Sequence, residues 1–287
     1  LVADVLDAAA EKKAATVSEQ VSARNFSKAL AGKDAVALKN GALSIGGQSH
    51  SVDAKLQAQL TLLPTTKTTM AAVAAGLSSS QATLVSAGPG AGASHAVRWM
   101  LQATGQRHEV VRLARTTTLD ALVGAMRPDE KKQLRVKDGP LTQMVRNGGV
   151  FVVDHLEQAD PQILACLTAL ARGAKTFHHP VSNEPISVSA NFRLVLLGDP
   201  AKKLPPQLPM ACNVVEVSPY TADDHRQLLV EQHGLSSQLS AKLAALHESL
   251  VEASKNGALD FGRRFPLAFG QLRTVAQRLE RAQKKGA

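Results

Sequence analysis

The sequence predicts an α/β protein built on a parallel sheet, with a helix-and-hairpin lead before the sheet and a helical lid after it. Three observations predict this. Between Thr83 and Val217, short apolar runs alternate with helical patterns, the order expected of parallel strands joined by crossover helices. The first run, Thr83-Leu84-Val85-Ser86, opens into a glycine-rich turn, Ala87-Gly88-Pro89-Gly90-Ala91-Gly92-Ala93-Ser94, from which a helical pattern departs. Beyond Pro219 no strand pattern returns, and the chain reads as helix to its end.

Taken in order, residues 1–32 are Ala-rich with scattered charge and read as one or two helices ending near Ala31-Gly32. Ala35-Val36-Ala37-Leu38 and Ala42-Leu43-Ser44-Ile45 flank Lys39-Asn40-Gly41, and Asn-Gly supplies the positive φ that a tight hairpin needs. A helical pattern over 53–77 is interrupted by Pro64 and the cluster Thr65-Thr66-Lys67-Thr68-Thr69, and Gly76 to Ser80 reads as a breaker at the entry to the core. Core strands are expected at 83–86, 109–113, 150–153, 192–197 and 213–217, with helices at 94–104, 119–126 and 161–171. Several of these strands are continuous apolar runs, as expected where helices cover both faces of a sheet. Helices at 222–233, 236–254 and 270–284 complete the chain. The expected division is a lead over 1–80, an α/β core over 81–218 and a helical lid over 219–287.

Composition narrows the function classes. Aromatics are 3% of the chain, and Trp99 and Tyr220 are its sole Trp and Tyr, which argues against a stacking platform for single-stranded nucleic acid. A formal net charge of +9 suits a phosphate- or carboxylate-rich partner such as RNA, an acidic subunit or anionic lipid, and equally a generally basic surface. From Arg263 onward there are seven Lys/Arg against one acid, Glu280. Cys166 and Cys212 have no CxxC spacing, which speaks against a disulfide framework or a zinc site. His178-His179 reads as a loop pair, because adjacent histidines point apart and no carboxylate or cysteine stands at ligand spacing. No run approaches the ~20 apolar residues of a membrane span, so no membrane partner is expected. The chain begins at Leu1 rather than Met, which leaves any targeting peptide unreadable.

The glycine-rich turn carries the most chemistry. A phosphate-binding loop of the form G-x-x-x-x-G-K-[ST] closes backbone N–H groups around phosphate, extends a lysine to the β- and γ-phosphates and sets a hydroxyl on Mg²⁺. Here Gly92 and Ser94 stand in register, while Ala87 replaces the first glycine and Ala93 the lysine. Two readings fit: a nucleotide cradle formed by Gly88, Pro89, Gly90, Ala91, Gly92, Ala93 and Ser94, or an ordinary strand-to-helix turn. Asp154, ending its strand, fits either a metal role with Ser94 or a simple loop cap.

Five further segments carry a family resemblance. Asp138-Gly139-Pro140-Leu141 followed by Gly148-Gly149-Val150-Phe151-Val152-Val153-Asp154-His155-Leu156 resembles the Walker B region of AAA+ ATPases in the group of midasin, dynein and the MoxR-type proteins, whose pattern is "DGPL…GG-hhhhDE". Leu122-Val123-Gly124 to Arg127-Pro128 resembles that group's "LLGxxRP" segment, Asn191-Phe192-Arg193 its strand before sensor 1, and Gln271-Leu272-Arg273-Thr274-Val275 its sensor 2 helix. With the loop, the likeness spans about 34–280.

The resemblance implies an AAA+ P-loop NTPase-like core whose catalytic groups are degenerate. It places Ala93 where the lysine belongs, His155 where a glutamate polarises the attacking water, Asp199 where sensor 1 holds asparagine, and Ala211 where an arginine finger projects. Arg273 keeps the sensor 2 position for nucleotide contact, though such an arginine also serves as a helix-surface ion-pairing residue. Asp154 and Ser94 keep the Mg²⁺ ligands, so ATP or ADP with Mg²⁺ is the cofactor implied. The expectation is a pseudo-ATPase scaffold for protein subunits of a large assembly, including other AAA+ modules, with mitochondrial ribosome biogenesis and the mitochondrial matrix its most concrete form. A nucleolar or cytoplasmic setting is the alternative. Two other functions compete with it. One is an ATPase subunit completed by neighbouring modules. The other is RNA contact through the basic lid at Arg278, Arg281, Lys284 and Lys285.

Overall fold

The computed structural model of the 287-residue chain describes residues 36–39, 41–45, 47–79, 82–88, 90–128, 133–199, 204–256 and 269–285. The helices expected over 1–32, the turn residue Asn40 and the loop residue Pro89 lie outside them.

The hairpin forms as its period-two pattern requires. Strands β1 (Val36–Lys39) and β2 (Ala42–Ile45) pair antiparallel, with Val36 opposite Ile45 and Leu38 opposite Leu43. A third strand, β3 (Gln48–Ser51), adds to β2. Its polar sequence Gln-Ser-His-Ser lacks the apolar alternation that would have announced it. A short helix α1 (Ala54–Gln57) is capped by Asp53, and α2 (Pro64–Ser78) follows.

Here the threonine cluster does the opposite of what the sequence reading expected. Pro64 starts α2 instead of breaking it, since a first-turn proline loses no hydrogen bond. The Thr68 and Thr69 hydroxyls donate back to the carbonyls of Pro64 and Thr65 at 3.0 and 2.9 Å. The expected break over 76–80 comes later too, because α2 continues through Gly76, against which the Thr83 side chain packs.

Strand β4 (Ala82–Ala87) leads through the glycine-rich loop to α3 (Ala93–Ala103), and β5 (His108–Arg112) follows. Helix α4 (Leu119–Val123) is shorter than expected. At Gly124 the chain turns into β6 (Gly124–Pro128), which pairs antiparallel with β7 (Leu134–Asp138). Gly124 has φ 114°, and a Cβ there would strike the Lys137 carbonyl and the Gly139 amide, so the backbone crossing stops the helix. Helix α5 (Pro140–Asn147), unassigned from sequence, precedes β8 (Gly149–Asp154) and a 3₁₀ turn, Leu156–Gln158.

Helix α6 (Pro161–Ala171) stands where the sequence placed it, and a second hairpin, β9 (Thr176–His178) with β10 (Pro185–Ser187), follows. His178 ends a strand rather than sitting in a loop, while His179 is buried and fully engaged. The His179 Nε2 lies 2.9 Å from the Val123 carbonyl, and its Nδ1 accepts from the Val181 and Ser182 amides, which fixes the tautomer. Arg146 on α5 donates to Asp138 at 2.8 Å and to Glu184 at 3.2 Å, joining the base of the β6–β7 hairpin to the turn end of the β9–β10 hairpin.

Strand β11 (Phe192–Gly198), helix α7 (Gln207–Met210) and strand β12 (Cys212–Val217) close the core. The five-stranded sheet runs β12-β4-β11-β8-β5, and every pairing is parallel. The first strand of this sheet therefore lies between the last two. Alternate residues feed two layers. Val85, Val152, Val195 and Leu197 pack with α2, α3 and the lead hairpin, while Leu84, Phe151, Val153, Leu194 and Leu196 pack with α4 to α7. The lid comprises α8 (Ala222–His233), α9 (Ser237–Lys255) and α10 (Phe269–Lys285), around a separate cluster of Leu229, Leu235, Leu272 and Ala276. Among the described residues no helix is long and apolar enough to cross a membrane.

Candidate functional site

Parallel sheets carry their chemistry at the carboxyl ends of the strands, where the chain order switches. Three such ends meet here. Strand β4 ends at the glycine-rich loop, β8 at Asp154 and β11 at Gly198-Asp199, with Ser86 in register with Gly198 and Arg112 with Asp154.

The loop has the backbone of a phosphate cradle. Gly90 and Gly92 have φ of 82° and 72°, and Gly92 caps α3, its carbonyl accepting from the Ala96 amide at 2.9 Å. Only glycine adopts two left-handed turns this closely spaced without strain. The first-turn amides of α3 thereby face outward with no intrahelical partner. Ala93, at the lysine position, is buried in the apolar layer beneath α3 and presents no charge.

Ser94 and Asp154, sixty residues apart in sequence, are brought into direct contact. The Ser94 hydroxyl donates to Asp154 Oδ1 at 2.8 Å, and Asp154 is only 7% exposed. Two hard oxygens held together at a strand end fit the ligand chemistry of Mg²⁺. The same Oδ1 accepts from the His155 amide at 3.0 Å, so the plain loop-cap role is also satisfied. His155 is in the left-handed region at φ 59° and does not continue the strand.

Sequence reasoning missed Glu157. Its carboxylate, nearly buried, lies 3.0 Å from His155 Nδ1 through one oxygen and accepts from the Asp199 amide at 3.3 Å through the other. Glu157 thus ties the ends of β8 and β11 together. Its place two residues after His155 was visible in the sequence, but a 3₁₀ turn aiming it back at the strand ends was not.

The remaining expected residues are spread out. Ala211 follows α7 and packs against the core cluster, so the finger position is a small apolar contact. Arg273 is exposed on α10, beside the buried Leu272, and makes no hydrogen bond or ion pair among the described residues. Cys166 and Cys212 are half-buried thiols, each pushed up to about 12 by burial, which keeps them protonated and unreactive.

Tyr220, in the link between β12 and α8, was also unassigned. Its hydroxyl stands where a Cβ on Gly92 would be, and burial raises its pKa, opposed by the Thr66 hydroxyl and assisted by Asp224. Among the described residues, two cavities differ in volume. One of about 660 Å³ opens at the amino ends of the strands, lined by His50, Ala74, Met100, Arg107, Gly148 and Arg193. A smaller one of about 250 Å³ lies at the carboxyl ends, against Ser86, Asp199, Pro209 and Glu216. We assign the site from its strand-end geometry and the Ser94–Asp154 bond.

A central parallel sheet with a glycine loop after its first strand and an aspartate ending a later one defines the class: an AAA+ P-loop NTPase core. Comparison with known families agrees, since residues 87–211 match the family described as "AAA domain (dynein-related subfamily)". A search of curated proteins finds no match. Among solved structures, one from Cytophaga hutchinsonii described as a candidate ATPase aligns with a TM-score of 0.48 and 12% identity, covering 71% of this chain and 68% of that chain.

Proposed function

We propose that this domain is a catalytically silent AAA+ module that binds protein neighbours in a larger assembly and keeps its loop to hold nucleotide rather than to split it. The observation that carries the reading is the contrast within one site. The Ser94–Asp154 pair and the left-handed Gly92 are in place, while Ala93 and His155 stand where the resemblance expects a lysine and a glutamate; away from this site, Ala211 stands where it expects the arginine finger. Phosphoryl transfer relies on positioning and charge stabilisation, and an arginine finger alone contributes ~10³–10⁵ in rate. A site that keeps the cradle and lacks these groups binds better than it turns over. Bound Mg²⁺ would neutralise the β- and γ-phosphate oxygens, with Ser94 and Asp154 as its protein ligands.

Finer parts of the reading rest on resemblance. Leu113-Ala114-Arg115-Thr116-Thr117-Thr118, Leu156-Glu157-Gln158-Ala159 and Leu197-Gly198-Asp199-Pro200 resemble von Willebrand factor A domain-containing protein 8, a mitochondrial relative of midasin. On that likeness we place the module in the mitochondrial matrix, in ribosome assembly.

The direct test is nucleotide binding by the 287-residue chain, followed by ATPase assays with and without neighbouring AAA+ modules. The proposal expects no turnover in either assay. Partner-stimulated hydrolysis would instead establish the completed-subunit reading, which the intact Ser94–Asp154 pair favours. RNA contact is a third reading, favoured by Arg278 and Arg281 on the solvent face of α10. It requires affinity that falls steeply with salt, and salt-insensitive or absent binding removes it.

A further inference from the structure

One side chain links the lid to the loop. Tyr220, the only tyrosine of the chain, lies where β12 hands over to α8, and its phenol end rests on Gly92 in the space of the missing Cβ. Gly92 caps α3, so the phenol stands at the end of the helix whose free first-turn amides phosphate would approach. Behind it, the Tyr220 ring meets His225 edge-on at 6.0 Å and 86°, and His225 meets His247 of α9 at 5.0 Å and 84°. A row of three rings thus runs from the loop into the second lid helix. Both His225 and His247 are buried, as is Asp224, whose carboxylate closes the capping box of α8.

We propose that Tyr220 is a plug: in this lid position its phenol closes the loop to phosphate, and the lid must swing away before a nucleoside di- or triphosphate enters. The inference rests on the reading that the loop holds nucleotide, and it adds how access is controlled. Because the ring row moves with α8 and α9, a partner that draws the lid outward opens the loop, and one that clamps the lid keeps it shut. A binding-competent state that is populated only part of the time lowers apparent affinity by that fraction.

The test is titration of the 287-residue chain with a fluorescent Mg-ADP analogue, read by anisotropy, for wild type, Tyr220→Ala, Tyr220→Phe and His225→Ala. The plug requires Tyr220→Ala to bind about tenfold or more tightly than wild type. Tyr220→Phe keeps the ring in place and stays within about threefold of wild type, and His225→Ala, which loosens the row without touching the loop, gains less in the same direction. Equal or weaker binding by Tyr220→Ala with an unchanged melting temperature overturns the plug, and if that variant does not fold, the direction of His225→Ala decides. Absence of binding by all four proteins also overturns it while leaving the scaffold role standing. Turnover by Tyr220→Ala would end catalytic silence and leave the plug intact.

Discussion

The sheet core and the lid are held together by different physics. In the core, the central strands β4, β8 and β11 are largely apolar, and their successive buried residues enter one of two apolar layers, with Phe151, Val153, Val195 and Leu196 fully enclosed. The lid has four buried residues in its apolar cluster, Leu229, Leu235, Leu272 and Ala276, and surrounds them with buried polar groups, His225, His233, Ser240 and His247. A dense apolar interior is indifferent to pH and tolerates little movement. A thin one that includes His225 and His247, where burial favours the neutral ring, is the part of the molecule that acidification shifts. The rigid half presents the site, and the adjustable half carries Tyr220 to it.

The comparison can be broken first at the core. Phe151→Ala should cost about 3–5 kcal/mol, seen as a large drop in denaturant midpoint, with hydrogen exchange accelerated throughout the molecule. Leu229→Ala should cost about 2–3 kcal/mol, low in the range for such truncations because a thin cluster can partly collapse. Its accelerated exchange should be confined to 222–285, and acceleration spread evenly into the sheet would show that core and lid are one cooperative unit.

Acidification sharpens the contrast next. Burial, then the neighbouring His247, lowers His225 to about 4 from the usual 6.5, with Asp224 opposing. Burial likewise lowers His247, with Glu248 opposing. In both cases folding favours the neutral ring. Its contribution is complete above pH 6.5 and declines as pH falls from 6.5 towards 4, because the unfolded chain takes up the proton first. Lid exchange should therefore accelerate over that window while core exchange holds. Replacing His225 with Phe should flatten the response.

The smallest expected effect lies at the junction. Thr221 and Asp224 form a capping box at the start of α8, and Thr221→Ala should cost about 1 kcal/mol, checked by thermal melting of the lid.

Much of the sheet was legible in the sequence, and for a specific reason. Strands buried on both faces must be apolar throughout, so 150–153 and 192–197 announced themselves, and the helix expected at 161–171 matches α6 to the residue. The polar hairpins gave no such signal. Strands β3, β6 and β7 lie largely in solvent, where periodicity fades, and their pairing depends on neighbours distant in sequence. The threonine run misled because intrinsic propensity was set against a helix that burial of Thr66, Thr69 and Met70 stabilises.

The sequence alone determined the order of the five core strands and the glycine loop with Ala93 before Ser94, since each is written in contiguous residues. Only the tertiary structure decided that Ser94 meets Asp154, that Glu157 joins the ends of β8 and β11, and that Tyr220 lies on Gly92. Those contacts join segments up to 128 residues apart, and it is the packing of the two apolar layers, not any local signal, that brings them within reach.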